Sequence, residues 1–394
     1  MRVTTAITAA LVALCGSAAA LADRVVLIPS QMVAPNGSLV SGKAVVVEGG
    51  TIVRIGDASA FEGDRDALRV DGVLSPGLIM VGSTLGVDDA DSGTRSVMAE
   101  VRVADGYDPN DPDLERAAKS GVTGAMVIPL PTNVVSGATA FITTHASDGA
   151  WFIEDDGPMM FSFGPPVYDL ELGPTSRSGA LVLLREALED AKNGDGPLRE
   201  VLDGERGAVA YCPAIDDVDA AFRVFDRYRV EAKIMHDEEP RLLAEALEST
   251  PTPVAMGPFT FSTPSWRIAG AGMVAEGGSP VVLMGEDGSD PGRSLRVSAS
   301  LAVRYGMDAA DARRAMTSAA AEYAGVGERV GSIERGQRAD LVVFSDDPLR
   351  LDASVQWVMI GGEWVVKPGA SAPADEEFDF STTMPETMHG SEAR

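Results

Sequence analysis

The sequence has few of the residues that most often bind metal ions. Its 394 residues include three histidines and two cysteines. This count excludes a zinc site built from several cysteines, and it excludes a centre of four histidines within one chain. Basic residues are also scarce, because 32 Lys and Arg stand against 59 Asp and Glu and give a formal net charge of -27. Nucleic acids and anionic membranes need a basic face, so neither is an expected partner.

Long apolar runs are missing outside the first 22 residues, where the pattern predicts a signal peptide. An apolar run between residues 6 and 14 precedes Ala20-Leu21-Ala22, which fits a small-residue cleavage site. The run is too short to span a bilayer. We therefore expect export, to the periplasm or the medium, and no membrane span. Cys15 lies in this segment and leaves a lipoprotein as the alternative, although Leu14 fits a lipid-attachment site poorly.

Cleavage after Ala22 leaves Cys212 as the only cysteine. No disulfide can then form within the chain, although an exported protein would tolerate one. Cys212 has no histidine near it in the sequence. We interpret it as a packed, unreactive thiol.

Short β-branched runs occur at both ends of the mature chain. DRVVLIPSQMV, KAVVVEGG and TIVRIGD near the start are matched by ADLVVFSDDP, VQWVMIGG and EWVVKPG near the end. Glycine-containing turns separate these runs, as is typical of strands. We predict one composite β-sandwich domain from residues 23–72 and 331–369. The polar and acidic residues 370–394 predict a disordered tail.

The middle of the chain, residues 73–330, alternates strand and helix patterns. Apolar residues share one face in SGALVLLREALEDAK, which predicts a helix. Helices are also predicted in DDVDAAFRVFDRYR, EPRLLAEALES, GRSLRVSASLAVRYG and DAADARRAMTSAAAEYAG. Eight apolar runs predict strands, near residues 73–81, 124–129, 139–145, 159–163, 208–212, 231–236, 253–256 and 280–285. Eight strands alternating with helices over about 250 residues are typical of a (β/α)8 TIM barrel. A doubly wound open sheet is the alternative.

Four segments occur in this order along the chain: VLSPGLI, DPNDPDLERAAKSGVTGAMVIPLPTNVVSG, GSIERGQRADLVVFSDDPL and VMIGGEWV. Together they resemble the metal-dependent amidohydrolase superfamily, in particular its imidazolonepropionase-like and dipeptidase-like branch. The resemblance extends from about residue 24 to 367. It implies a barrel with a composite β domain. It also implies hydrolysis of C–N bonds by one or two divalent metals held at the carboxyl ends of barrel strands.

Most ligand positions that the resemblance implies hold other residues in this chain. The first strand of the family ends in His-x-His, and the corresponding positions are Gly82 and Thr84. The lysine of the third strand and the histidine of the fifth correspond to Thr143 and Tyr211. None of these four side chains is a good ligand for zinc. We therefore interpret them as vacated metal-ligand positions.

Two ligand positions of the family remain, His236 after the sixth strand and Asp287 after the eighth. The resemblance assigns Asp287 both a metal-binding and a catalytic role, in moving the proton of the attacking water. His145 follows Thr143 by two residues, so strand periodicity points both the same way and His145 would supply a third ligand. These three would hold at most one zinc ion, weakly. The alternatives are that His236 is only hydrogen-bonded, that His145 lies on a surface loop, and that Asp287 is solvated or caps a helix.

Two functional hypotheses follow from this ligand set. In the first, the protein has largely lost a dinuclear centre and is a non-catalytic or weakly active binding or regulatory subunit. Its partner would be an intact homologue, a second copy or a small molecule. In the second, it is an active hydrolase of C–N bonds in non-peptide or dipeptide-like amides and uses a reduced mononuclear site. Function depends on the site rather than on the fold, so the geometry at the strand ends decides between them.

Overall fold

The computed structural model describes residues 24–87, 95–236 and 238–367. The predicted signal peptide and acidic tail lie outside these ranges. In chain order the strands are β1 Val25–Val33, β2 Leu39–Val40, β3 Lys43–Glu48, β4 Thr51–Asp57, β5 Ala67–Pro76, β6 Leu78–Ser83, β7 Val122–Val127, β8 Val135–Ala138, β9 Ala140–Thr143, β10 Phe152–Glu154, β11 Met159–Ser162, β12 Ala208–Tyr211, β13 Ala232–Met235, β14 Val254–Met256, β15 Val281–Leu283, β16 Leu341–Phe344, β17 Val355–Ile360 and β18 Glu363–Val366. The α-helices are α1 Pro112–Lys119, α2 Arg177–Ala191, α3 Pro197–Asp203, α4 Ile215–Tyr228, α5 Pro240–Leu247, α6 Ser265–Glu276, α7 Pro291–Arg304, α8 Ala309–Ala315 and α9 Ser318–Ala324.

Strands from both ends of the chain form one eight-stranded sheet, here called the terminal sheet. Its order is β18-β17-β16-β5-β1-β3-β4, with β2 paired to β1. The two halves join where β16 runs antiparallel to β5, with Leu341 opposite Pro76. The β-branched runs near both ends of the sequence therefore pair with each other. Among the described residues, the strands from both ends of the chain form one continuous sheet rather than two separate sheets.

All eight strands predicted for the middle of the chain are present, as β6, β7, β9 and β11 to β15. They lie in a four-stranded sheet, β10-β9-β7-β6, and a six-stranded sheet, β15-β14-β13-β12-β11-β8. The pair β6–β7 and the series β11 to β15 are parallel. Helices connect the strands from β11 to β15, so this part is a mixed α/β fold.

The third predicted strand differs from the expectation for a barrel, because it runs antiparallel to its neighbours. β9 is antiparallel to β7, and β8 is antiparallel to β11. Only residues 128–134 connect β7 to β8. A parallel strand needs a crossover of a dozen or more residues, so this short connection turns the chain back on itself. Within the described residues, no pairing joins β15 to β6, and the strands do not form a closed barrel.

The two middle sheets nevertheless enclose a common apolar interior. Each of the eight strands contributes at least one buried side chain to it: Ile79, Val81, Met126, Phe141, Met160, Val209, Met235, Ala255 and Val282. Helix α9 fills one end of this interior through its alanines and Tyr323. Burial of these side chains, at about 25 cal/mol per Å² of apolar surface, stabilises this arrangement.

The segment DAADARRAMTSAAAEYAG forms two helices, where the sequence predicts one. α8 ends and α9 begins around Met316 and Thr317. The carbonyl oxygen of Met316 accepts a hydrogen bond from the backbone N–H of Ile79 in β6. Because this carbonyl bonds to β6, it does not continue the helix, and the break between α8 and α9 is tied to β6.

The parallel strands define two edges of the middle sheets. At the amino edge, the N–H of Gly77 donates to the carbonyl of Asp340, next to the terminal sheet. The carboxyl edge, which we call the mouth, is where parallel α/β folds place ligands.

Among the described residues, none of the helices combines the length and the apolar composition of a transmembrane span.

Candidate functional site

Asp287 lies at the mouth and binds the end of the first strand. Its Oδ1 accepts a hydrogen bond from the Ser83 hydroxyl at 2.7 Å, and its Oδ2 accepts one from the Thr84 N–H at 2.8 Å. The Thr84 hydroxyl lies farther from Oδ2, at 3.4 Å. Both carboxylate oxygens are thus engaged with neutral donors from residues 83 and 84. This side-chain bridge joins the ends of β15 and β6, where the strands themselves are not paired.

Gly82 forms a bulge in β6, because the register with β7 shifts between Val81 and Ser83. Its φ is +76°, in the left-handed region that favours glycine. A Cβ here would lie 2.8 Å from Met235 Cε and 3.2 Å from Met284 Sδ. Two thioether side chains therefore occupy the space that a larger side chain at position 82 would need.

Tyr211 ends β12 at the mouth, as predicted, and packs against the apolar interior. Its pairing partner in β13 is Met235. The next residue, Cys212, is fully buried and free. Burial, with a smaller contribution from the nearby Asp217 carboxylate, raises the pKa of the Cys212 thiol well above its usual value. A thiol that stays protonated is a poor nucleophile, in agreement with its interpretation as unreactive.

His236 follows β13 directly and is 4% exposed. Its Nδ1 lies 2.6 Å from the carbonyl oxygen of Cys212. Because a carbonyl only accepts, Nδ1 carries the proton of this bond, and in the neutral ring Nε2 is left with a free lone pair. Nε2 is buried and has no hydrogen-bond partner among the described residues. This is the tautomer that a metal-binding histidine adopts, so His236 retains one ligand-like atom.

Thr143 does not lie at the mouth. It is the partner of Gly124, near the start of β7, because β9 runs antiparallel to β7. Its hydroxyl accepts a hydrogen bond from Arg338 Nη1 at 2.9 Å. The assignment of Thr143 as a vacated ligand position at the mouth therefore needs correction: the reversed strand places it at the amino edge, beside the terminal sheet.

His145 is carried to the same edge by the reversed strand. Its neighbour Thr144 donates to the carbonyl of Val122 at 2.7 Å, at the start of β7. The His145 Nε2 lies 3.6 Å from Glu363 Oε2, and 38% of its side chain is exposed. The structure thus separates His145 from the mouth, where His236 and Asp287 lie. The proposed set of these three ligands is not assembled, and the surface-loop interpretation of His145 fits its surroundings.

The donors at the mouth do not fit the metal centre that the resemblance implies. Within the described ranges, no group of three or more His, Cys, Asp and Glu side chains could hold a metal ion. His236 offers one nitrogen, and the Asp287 oxygens are already bonded to Ser83 and Thr84. A catalytic zinc site takes about three protein ligands. No step through a bound metal is therefore derived for this chain.

Ser83, Met235 and Met284 also lie at the mouth and were not among the residues predicted for it. Ser83 stands between Gly82 and Thr84, and its hydroxyl donates to Asp287. The alternation of side chains along β13 could have indicated Met235. This residue faces the apolar interior of the middle sheets, whereas its neighbour Ile234 faces the opposite side of the strand, in the larger apolar cluster. No sequence signal indicates the bulge that brings Gly82 against both methionines.

Comparison with known proteins gives one family and a consistent fold. The sequence profile described as Amidohydrolase family matches residues 239–365. A curated protein named Amidohydrolase tasK, from Hapsidospora irregularis, is 24% identical over 389 residues, covering 81% of this chain. The chain spans 39% of the length of that relative.

Solved structures of similar fold cover most of the chain. An amidohydrolase from Thermotoga maritima MSB8 has a TM-score of 0.79 and 24% sequence identity, over 87% of this chain and 100% of that chain. A prolidase complexed with N-methylphosphonate-L-proline has a TM-score of 0.56 and 17% identity, over 88% and 100% of the two chains. At these identities the structures show the fold alone. The family profile over residues 239–365 and the curated relative, together with the agreement in fold, support the assignment of this chain to the amidohydrolase superfamily.

Proposed function

We propose that this protein is a binding or regulatory member of the amidohydrolase superfamily that has lost metal-dependent hydrolysis. The observation that carries the proposal is the engagement of Asp287 by Ser83 and Thr84. In an active member this carboxylate would face a metal and the attacking water. Here it joins two strand ends instead.

The packing at the mouth supports the same proposal. A histidine at position 82 would meet the methyl group of Met235 and the sulfur of Met284. The mouth therefore differs from a metal site in shape as well as in ligands. The first strand also carries a bulge at Gly82, whose positive φ favours glycine, so a histidine ligand there would require backbone strain.

One observation favours the second candidate, a weakly active hydrolase with a mononuclear site. The buried Nε2 of His236 has no partner among the described residues, and burying a polar atom without a partner costs about 1–3 kcal/mol. Among the described residues, a zinc ion bound there would have this nitrogen and at most one further protein ligand, Asp287. Such coordination would be weak.

A hydrolysis assay separates the two candidates. Dipeptides, N-acyl amino acids and simple amides are incubated with the mature protein and added Zn²⁺, Mn²⁺ or Co²⁺, beside a His236→Ala variant. The proposal expects the same background rate for both proteins with every metal. Metal-dependent turnover that the His236→Ala substitution removes would establish the hydrolase instead.

The finer fold assignment is also a proposal. We infer that the middle sheets are a modified (β/α)8 TIM barrel and that the terminal sheet is the core of a composite β-sandwich. The apolar interior shared by eight strands and the TM-score of 0.79 to a solved amidohydrolase support this. A crystal structure with continuous pairing from β15 to β6 would test the closure of the barrel.

Export and assembly complete the proposal. The first 22 residues are read as a cleaved signal peptide, and the mature chain is expected to act outside the cytoplasm with an intact homologue or with a second copy of itself. Intact-mass analysis of the exported protein checks whether it begins at Asp23. Light scattering of the mature protein, alone and with a homologue that has all ligands, tests the partner. A protein that stays monomeric both alone and in the presence of the homologue would contradict the proposed assembly.

A further inference from the structure

Exposed apolar side chains are concentrated on the segments that follow strand ends at the mouth. In the described part of the chain these mouth segments are residues 128–134, 163–176, 212–214, 238–239, 257–264 and 284–290. Of ten exposed large apolar side chains among the described residues, four lie on the mouth segments and a fifth lies in the first turn of α6, next to one of them: Leu130, Leu170, Leu172, Phe261 and Trp266. Single exposed apolar residues are common on protein surfaces, whereas several on one face mark an interaction site.

Two loops carry the most exposed of these side chains. Leu170, 93% exposed, lies on the loop after β11, and Phe261, 75% exposed, lies on the loop after β14. Trp266, 58% exposed, follows at the start of α6. In the sheet β12 and β13 lie between β11 and β14, so the two loops start about 14 Å apart, at about 4.8 Å per strand. An extended polypeptide covers this distance with about four residues.

The mouth segments also carry charge of one sign. They contain no Lys or Arg and seven Asp and Glu, of which two lie in 163–176, two in 238–239 and three in 284–290. Arginines in the first turns of α2, α5 and α6 are each paired with a carboxylate, and Arg293 in α7 adds one exposed positive charge. The mouth face is therefore acidic as well as apolar.

Two of these carboxylates are available to a partner. Glu171 is exposed between Leu170 and Leu172, and Glu286 is exposed beside Asp287. Among the described residues, neither carboxylate is paired with a basic side chain. A lysine or arginine of a partner can therefore bind them without breaking an existing contact. Leu170-Glu171-Leu172 alternates apolar and acidic side chains, and its complement is a segment that alternates apolar and basic ones.

Charge decides which partner fits this face. A second copy in a two-fold interface would bring the same acidic segments against one another, and like charges facing each other are unfavourable. An anionic membrane is repelled for the same reason. A basic segment with apolar side chains is attracted both by the carboxylates and by the exposed apolar surface.

We propose that the mouth face docks a polypeptide segment of a partner protein in which apolar side chains alternate with Lys or Arg. The inference rests on the binding function proposed above, and it narrows the partner from a second copy to a different chain with a basic surface.

Three labelled peptides test the chemistry of the partner by fluorescence anisotropy with the full mature protein. One has twelve residues of alternating leucine and lysine, the second has glutamate in place of lysine, and the third has serine in place of leucine. Salt at 150 mM screens charges farther apart than about 8 Å, which limits attraction by the net charge of -27. We expect saturable binding of the leucine–lysine peptide and at least tenfold weaker binding of the other two. Equal affinity for the two lysine peptides, or no saturable binding, overturns the proposal.

A first pair of substitutions locates the apolar contact. Leu170→Ser combined with Phe261→Ser removes the most exposed apolar side chain from each loop, and because both are exposed the variant should fold. It should weaken binding of the leucine–lysine peptide tenfold or more. Tyr305→Ser combined with Leu351→Ser, at exposed apolar positions outside the mouth segments, is the matched control and should leave the affinity unchanged. Equal affinity of the two variants contradicts the location.

A second pair locates the charge contact. Glu171→Gln combined with Glu286→Gln should weaken binding of the same peptide fivefold or more. Glu186→Gln combined with Glu276→Gln removes the same charge from exposed positions on α2 and α6 and should leave it unchanged. An equal loss in both double variants would mean that the peptide responds to net charge alone, and this would overturn the proposal.

Mass spectrometry of the peptide after incubation separates this proposal from the loss of hydrolysis. An intact peptide that binds and is released by the Leu170→Ser and Phe261→Ser substitutions supports the docking face. An intact peptide that does not bind overturns the docking face and leaves the loss of hydrolysis standing. Cleavage that requires added Zn²⁺ and is removed by His236→Ala would overturn the proposed function, and with it this inference.

Discussion

At the scale of single residues, the mouth is defined by what Asp287 contacts. The Asp287 carboxylate, which the resemblance predicted to be catalytic, accepts hydrogen bonds from the Ser83 hydroxyl and from the backbone N–H of Thr84. Ser83 is 1% exposed, so its hydroxyl depends on this partner. Asp287 therefore bridges the end of β6 and the segment after β15, and the contribution of this bridge can be measured as stability.

We expect Asp287→Ala to lower the free energy of unfolding by about 1–3 kcal/mol, because it leaves the buried Ser83 hydroxyl and the Thr84 N–H without their acceptor. Urea denaturation at neutral pH measures this loss. Glu286→Ala, at the adjacent exposed position, is the matched control and should change stability by about 0.5 kcal/mol or less. Equal stability of the two variants would show that the bridge contributes nothing.

We expect Gly82 and Thr84, both predicted to be vacated ligand positions, to differ in how well they tolerate a histidine. Gly82→His forces a non-glycine residue to φ +76° and against Met235, so we expect a loss of more than about 2 kcal/mol. Thr84→His replaces a half-buried side chain with one weak hydrogen bond and should lose less than about 1 kcal/mol. Thermal unfolding of both variants checks this; a Gly82→His protein as stable as Thr84→His would contradict the bulge.

At the scale of elements, periodicity predicted the strands and most of the longer helices, but not how they connect. The helical periodicity of three helices was weak: α1 and α3 are short and begin at proline, and α6 contains Gly270 and Gly272. The reversal of β8 and β9 depends on the short connection after β7. Strand signals carry no direction, so the sequence could not show that Thr143 and His145 lie at the amino edge.

A second element-scale feature is a clasp between α7 and the loop after β16. Arg296 is 5% exposed and donates to the carbonyls of Pro348, Arg350 and Ala353 at 2.6–2.8 Å. Burial lowers the pKa of its guanidinium, although the group stays charged at neutral pH. This contact ties the middle sheets to the terminal sheet.

Arg296→Met should therefore destabilise the protein by about 3 kcal/mol, because three carbonyls lose a charged donor at once. Arg304→Met, on the same helix but exposed, is the matched control and should be nearly neutral. Chemical denaturation of the two variants gives the comparison. A loss below about 1 kcal/mol in Arg296→Met would mean that the clasp does not hold the two parts together.

At the scale of the whole molecule, the mixed α/β fold agrees with that of a solved amidohydrolase, and the two edges of the middle sheets carry different groups. The mouth, where the resemblance predicted metal ligands, has a bulge at Gly82, the thioethers of Met235 and Met284, and the hydrogen-bonded Asp287 carboxylate. At the amino edge, the reversed strand β9 places Thr143 and His145 beside the terminal sheet. The resemblance in sequence predicted the family, whereas the position of Thr143 depends on contacts between segments about 200 residues apart, such as Thr143 with Arg338, which no local pattern in the sequence indicates.

The central claim is that the mouth no longer holds a metal centre, and elemental analysis tests it most directly. The mature protein is incubated with excess Zn²⁺, dialysed without chelator and measured for zinc per chain, beside a His236→Ala variant. The account predicts well under one zinc per chain and no difference between the two proteins. One or two tightly held zinc ions per chain, lost in His236→Ala, would contradict it.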